Sequence, residues 1–109
     1  MTVPQREHPE AVAEFDAAVR WYESQQPGVG LVLVDRAGQA RQEIADWPSG
    51  ARQFEPELER QSTDAVIRSK AVRGYPYRII YTMDDGVIVI LAYAHAKRRP
   101  GYWMSRLDS

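Results

Sequence analysis

Apolar residues recur at helical spacing through the first part of the chain and predict two helices. Their apolar stripes consist of Phe15, Val19 and Tyr22 in the first helix, and of Leu33, Ala37, Ala40 and Ile44 in the second. The spacing predicts helices over 9–25 and 29–46, and the short link between them implies an antiparallel helical hairpin. The polar residues at 48–64 predict an irregular, mobile segment.

Apolar segments and alternating polarity follow, and they predict strands. The alternation runs through 65–73, and segments at 77–83 and 87–95 flank Asp84-Asp85-Gly86, a turn favoured between antiparallel strands. The 87–95 segment is apolar on both faces, which is typical of a strand covered on both sides. A first strand around Val3 is left open, because the proline beside it cannot donate to a ladder. The predicted fold is α+β in the order (β)ααβββ, a helical hairpin packed on a small, mainly antiparallel sheet.

Composition narrows the class of protein. At 109 residues, the chain has the length of a single domain spanning 1–109. It has no run of about 18 apolar residues, and its first residues lack the apolar core of a signal peptide. It contains no cysteine, which excludes disulfides and fits a reducing compartment. Two isolated histidines make no metal site. We therefore expect a cytoplasmic protein with no metal, no cofactor and no membrane association.

The formal net charge of −1 conceals an uneven distribution. Residues 1–64 carry 6 basic and 12 acidic side chains, a charge of −6, whereas residues 65–109 carry 8 and 3, a charge of +5. The basic part suits an acidic protein partner or a nucleic acid. A solvated face without a partner is the simpler interpretation of the same charges.

Three motifs in this order resemble the RelE/ParE superfamily of toxins from type II toxin–antitoxin systems. The segment 8–30 carries a "PEA…WY…PG" pattern, and 72–83 carries an aromatic-Pro-Tyr-basic strand with Tyr75 where phenylalanine is usual. The segment 90–103 matches the terminal "AxxHxxRxPxxW" element. The resemblance covers about 9–106. The long hairpin looks more like the ParE and plasmid-stabilisation branch than like the ribonuclease branch.

The resemblance implies a growth-inhibiting toxin that is neutralised by a cognate antitoxin in a hetero-oligomeric complex. ParE-like members poison DNA gyrase, and RelE-like members cleave messenger RNA on the ribosome. We expect a non-enzymatic gyrase inhibitor. The alternatives are a metal-independent, ribosome-dependent endoribonuclease and a toxin-fold protein that binds an antitoxin without being toxic. Fold alone does not choose between them.

RNA cleavage would need an acid, a base and cations that stabilise the charged transition state. The candidates for these roles are His95, Tyr81, Arg73, Arg78 and Arg98. Histidine is the most common general acid or base in proteins, and His95 falls at the position of the family's terminal histidine. The competing interpretation is a strand-end histidine bonded to a neighbouring backbone group. Contacts to phosphate groups supply most of the affinity of a protein for RNA. The low sequence pI of about 6.1 therefore also argues against binding to the ribosome.

A second set of residues is expected to bind the target or the antitoxin. It consists of Trp21, Arg68, Lys70, Lys97, Arg98, Arg99, Tyr102 and Trp103. The basic members suit an acidic partner. Trp21 is either a partner-binding anchor or a packing residue. The 65–73 strand is expected at an open sheet edge, where an antitoxin strand could pair with it.

Overall fold

The computed structural model describes residues 2–53 and 65–108 and confirms the α+β fold in the order (β)ααβββ. Helix α1 spans Pro9–Gln25 and helix α2 spans Val29–Asp46. The strands are β1 (Gln5–Glu7), β2 (Arg52–Gln53), β3 (Arg68–Ala71), β4 (Tyr77–Asp84) and β5 (Val87–His95). They form one sheet in the order β1-β5-β4-β3-β2, in which β1 runs parallel to β5 and the other pairs are antiparallel.

The N-terminal strand forms, but it begins after Pro4 rather than around Val3. The proline lacks an N–H, so it contributes only its carbonyl, which accepts from Ile88 N–H at 2.9 Å. The strand then pairs in parallel with β5 through Gln5–Glu7. A proline just before the strand is therefore compatible with an edge position.

The strand predicted over 65–73 is shorter, because only Arg68–Ala71 pairs with β4. It is also not the outermost strand. The segment predicted as irregular contributes a short 3-10 turn at Pro48–Gly50 and then β2, which pairs with Arg68 and Ser69. The remainder of that segment, 54–64, lies outside the described residues.

The helical hairpin covers one face of the sheet. The two helices approach each other closely at Gly30, where a Cβ atom would come within 2.5 Å of the Val19 carbonyl. The Glu23 carboxylate accepts from the backbone N–H groups of Gly28 and Gly30 at 3.1 and 2.8 Å and so caps α2. The core of this face consists mainly of Ala11, Ala18, Leu33, Ala37, Ala40, Ile44, Val72, Ile79, Tyr81, Ile88, Ile90 and Tyr93.

The C-terminal segment 96–108 covers the opposite face. Trp103, with 1% of its surface exposed, packs with Ile67, Ile80 and Leu91. The segment ends in a 3-10 turn at Met104–Asp108. The prediction that β5 is covered on both sides is confirmed, and the second cover is the chain's own tail.

Candidate functional site

Five basic side chains lie at one end of the sheet, where β4 begins and β5 ends. We call them the basic end: Arg73, Arg78, Lys97, Arg98 and Arg99, all of them exposed. Asp84 and Asp85 occupy the hairpin turn at the opposite end of β4, about 25 Å away at the usual rise per residue. Their carboxylates are therefore too far away to neutralise the basic end.

His95 is held by its own chain at the end of β5. Its Nδ1 accepts the backbone N–H of Lys97 at 3.0 Å, and its carbonyl accepts the N–H of Arg98 at 3.0 Å. The ring lies at 90° to that of Tyr77, with centroids 5.0 Å apart. This is the strand-end arrangement that the sequence left open, and it gives His95 a structural role in the turn after β5.

Tyr81 lies far from His95. In the β4–β5 register, Tyr77 pairs with His95 whereas Tyr81 pairs with Ile90, so the two side chains start four residues apart along β4, or about 13 Å. Tyr81 is 1% exposed, and its hydroxyl donates to the Pro48 carbonyl. Burial raises its pKa. Tyr81 is therefore a core residue rather than a partner of His95 in proton transfer.

The candidate arginines also point in different directions. Arg78 donates from Nη2 to the Ser69 carbonyl at 3.0 Å and from Nε to the Ser69 hydroxyl. Arg73 lines a cleft between α2 and β3, and its carbonyl accepts from Arg36 Nη1 at 3.4 Å. Arg98 stacks over the Tyr102 ring at 3.9 Å. These contacts take the three side chains to three different places: Ser69, the cleft beside α2, and the Tyr102 ring.

The aromatic residues predicted to bind a partner divide into two groups. Trp103 is a core residue, so its burial gives it a structural role and places it out of reach of a partner. Tyr102 is partly buried, and its hydroxyl donates to the Glu14 carboxylate at 2.5 Å. Trp21 stands on α1 with 58% of its surface exposed, edge-on to Tyr22. Of the three, Trp21 has the most exposed surface.

Arg68 and Lys70 lie on β3, and Lys70 lines the same cleft as Arg73. Arg68 donates to the Ala51 carbonyl at 2.8 Å, which joins β3 to the residue before β2. Lys70 forms an ion pair with Glu43 of α2 at 3.1 Å. The predicted open edge at 65–73 is thus covered by β2 at Arg68 and Ser69.

Glu14 and Arg106 form a buried ion pair that the sequence analysis missed. The Arg106 guanidinium donates to both Glu14 oxygens, at 2.9 and 3.1 Å. The two side chains are only 16% and 10% exposed. Arg106 also donates to the Leu91 carbonyl at 2.8 Å, and Glu14 accepts the Tyr93 N–H at 3.2 Å. One sequence signal was available, since Glu14 lies at helical spacing from the buried Ala11 and Ala18.

Neither a family model nor a curated protein matches this chain. Within residues 2–53 and 65–108, no three histidine, aspartate or glutamate side chains are grouped as a metal site would require. No helix in the same two ranges is both long enough and apolar enough to cross a bilayer. The functional assignment therefore rests on the geometry of the basic end and on the motifs of the sequence.

Proposed function

We propose that this chain is a non-enzymatic, growth-inhibiting toxin of the RelE/ParE type, closest to the ParE branch, that acts on DNA gyrase and is neutralised by a cognate antitoxin. The observation that carries the proposal is the arrangement of the groups expected to cleave RNA. His95 is bonded to the turn after β5, and Tyr81 is buried about 13 Å away along β4. An exposed basic end without an assembled acid–base pair suits binding rather than catalysis.

The element order and the terminal motif support the proposal. The order (β)ααβββ is the one that the resemblance implies. The 90–103 motif contributes the end of β5, the basic turn and Trp103, which anchors the tail beneath the sheet. The apolar positions of the motif are therefore explained by packing, as at Trp103. Its cationic positions, Lys97, Arg98 and Arg99, are exposed and accessible to a target.

The deciding experiment is inducible expression without an antitoxin, followed by gyrase supercoiling and DNA-cleavage assays on purified protein. We expect growth arrest, inhibited supercoiling or trapped cleaved DNA, and loss of both effects when Lys97, Arg98 and Arg99 are changed together to glutamine. Arg20→Gln, an exposed charge on α1, is the control and should retain activity. Growth arrest with unaffected gyrase at micromolar protein would reject the gyrase target.

A RelE-like endoribonuclease is the second candidate, because His95 ends β5 directly before the turn that carries Lys97 and Arg98. It requires codon-dependent cleavage of messenger RNA, which primer extension would map after induction. It also requires His95→Ala to abolish toxicity in a protein that stays folded. We expect no such cleavage and retained toxicity in His95→Ala.

The third candidate is a non-toxic protein that keeps the fold and binds the antitoxin alone. It is separated from the others by the same induction experiment, since growth arrest rejects it. Absence of growth arrest, with the soluble protein accumulating, would instead reject the toxin proposal.

A further inference from the structure

A cleft of about 310 Å³ lies where α2 ends, between that helix, the 3-10 turn after it and β3. The Lys70–Glu43 ion pair lines both this cleft and the one beside Arg73. The other lining residues are Ile44, Asp46, Trp47, Gly50, Ala51 and Tyr81. Ile44 and Tyr81 are each 1% exposed, whereas Trp47 is 69% exposed. The accessible side chains of this cleft are therefore an indole ring and charged groups.

Trp47 presents one face of its indole ring to solvent. A Cβ atom at Gly50 would lie 2.5 Å from both Cδ2 and Cε3 of the ring and 3.0 Å from Cγ. These three distances place that atom over the ring face rather than at its edge. The turn therefore covers one face, and a residue without a side chain is needed for this close approach. Since the residue is still 69% exposed, the opposite face of the indole ring is accessible.

The end of α2 is electrostatically suited to a cation. Its last turn contains Glu43 and Asp46 and no basic residue, although the negative end of a helix dipole favours cations there. Lys70 pairs with Glu43 at 3.1 Å. Asp46 accepts from Gln42 Nε2 at 2.9 Å, an amide that brings no charge. With one cation and two carboxylates, the lining of the cleft has a net charge of −1.

We propose that this cleft binds an arginine side chain of a protein partner, which stacks on Trp47 and donates to Asp46. A guanidinium group is planar and weakly hydrated, so it can stack on an aromatic ring while its N–H groups donate to a carboxylate. It also competes with Lys70 for Glu43. The occupant is opposite in charge to the acidic partner expected for the basic part of the chain. The cleft would take such a side chain whether or not the protein inhibits growth.

The test titrates the isotope-labelled full chain with a capped tripeptide that carries arginine between two glycines, and follows the indole N–H signals by NMR. Trp47→Phe assigns the Trp47 signal, which we expect to shift saturably. The citrulline counterpart, whose side chain is planar but uncharged, should bind at least about fivefold more weakly. Asp46→Asn should weaken binding of the arginine peptide about three- to tenfold, whereas Lys70→Gln should strengthen it about twofold, as expected for single exposed charge contacts.

Asp35→Asn is the matched control for Asp46→Asn. Asp35 is an exposed acid on the same helix and also accepts from an amide, Gln39 Nε2, at 2.9 Å. Its substitution should leave the affinity unchanged. Trp21, which is 58% exposed, provides a comparison signal in every spectrum. The signal of Trp103, which is 1% exposed, reports whether each variant keeps its fold.

Equal affinity for the arginine and citrulline peptides would overturn the proposal. So would equal effects of Asp46→Asn and Asp35→Asn, or a peptide-induced shift of the Trp21 signal as large as that of Trp47. A lysine peptide that binds as tightly as the arginine peptide would overturn the stacking of a guanidinium group on the indole ring. None of these measurements involves growth or gyrase, so their outcome is independent of the toxin proposal.

Discussion

The outermost strands, β1 and β2, are each shorter than the strand they pair with, β5 and β3, and the two overhangs differ in how the neighbouring side chains cover them. β1 ends at Glu7 opposite Ile90, while β5 continues to His95. Along this overhang, Glu14 accepts the Tyr93 N–H and Arg106 donates to the Leu91 carbonyl. We call this the closed edge. Side chains replace the missing strand and block edge-to-edge pairing.

The second overhang, at Ala71, is the open edge. β2 pairs only with Arg68 and Ser69, and the charged side chains just beyond it, Lys70 and Arg73, are partly or fully exposed. Charged side chains on an edge discourage aggregation, yet they also select an acidic partner. An unpaired strand end can thus serve stability or recognition, and the burial of the neighbouring charges distinguishes the two uses.

The largest expected effect is at the closed edge. Glu14→Gln leaves the Arg106 guanidinium, which is 10% exposed, without its closest carboxylate. Breaking one partner of a buried ion pair costs about 3–5 kcal/mol, and we expect a loss of that order in the free energy of unfolding, measured by urea denaturation. Glu10→Gln is the matched control, one turn earlier on α1 and 4.0 Å from Arg106.

Glu10 is 68% exposed, so its substitution should cost less than about 1 kcal/mol. A Glu14→Gln effect no larger than that of Glu10→Gln would show that the closed edge is not held by this pair. The double variant Glu14→Gln with Arg106→Met should lose less than the two single variants combined, because it leaves no unpaired charge.

A smaller effect is expected from the hydroxyl that joins the tail to the closed edge. Tyr102→Phe removes the hydrogen bond to Glu14 and keeps the ring under Arg98. A single hydrogen bond to a charged group contributes about 1.5–3 kcal/mol, and the lower end applies because Tyr102 is only partly buried. Urea denaturation should show a loss of about 1.5 kcal/mol. No loss would mean that the apolar packing of the tail suffices without the bond.

The sequence predicted the parts of the molecule that depend on local signals. Both helices match their apolar stripes and Pro-Gly link, and the Asp-Gly turn places φ of 51° at Asp85 and 79° at Gly86, as a tight hairpin requires. The closed edge could not be predicted in the same way, because Glu14 and Arg106 are 92 residues apart. The burial of Trp103, which is 1% exposed, could not be predicted for the same reason, since only tertiary contacts reveal that the C-terminal segment is a layer of the core.

Alkaline pH should destabilise the closed edge through ionisation of the Tyr102 hydroxyl, which donates a hydrogen bond to Glu14. Burial, followed by the hydrogen bond to Glu14, raises the pKa of Tyr102. A raised pKa in the folded state means that the stabilisation is complete below the pKa of the unfolded tyrosine, near 10, and is lost as pH rises beyond it. Unfolding free energies between about pH 9 and 11 should fall less steeply in Tyr102→Phe than in the unchanged protein. Equal slopes would contradict a specific role for this hydroxyl.

The smallest effect on the free energy of unfolding is expected at the open edge, because the charges there are partly exposed. Lys70→Gln and Glu43→Gln each break a partly exposed ion pair, which contributes at most about 1 kcal/mol. Both unfolding free energies should change by less than this, and the differences should shrink further in 1 M salt, where the screening length is about 3 Å. A large loss in either variant would mean that the Lys70–Glu43 pair closes this edge as Glu14 and Arg106 close the other. Charges that can be removed at little cost to folding are free to change partners, whereas the buried charges of Glu14 and Arg106 are not.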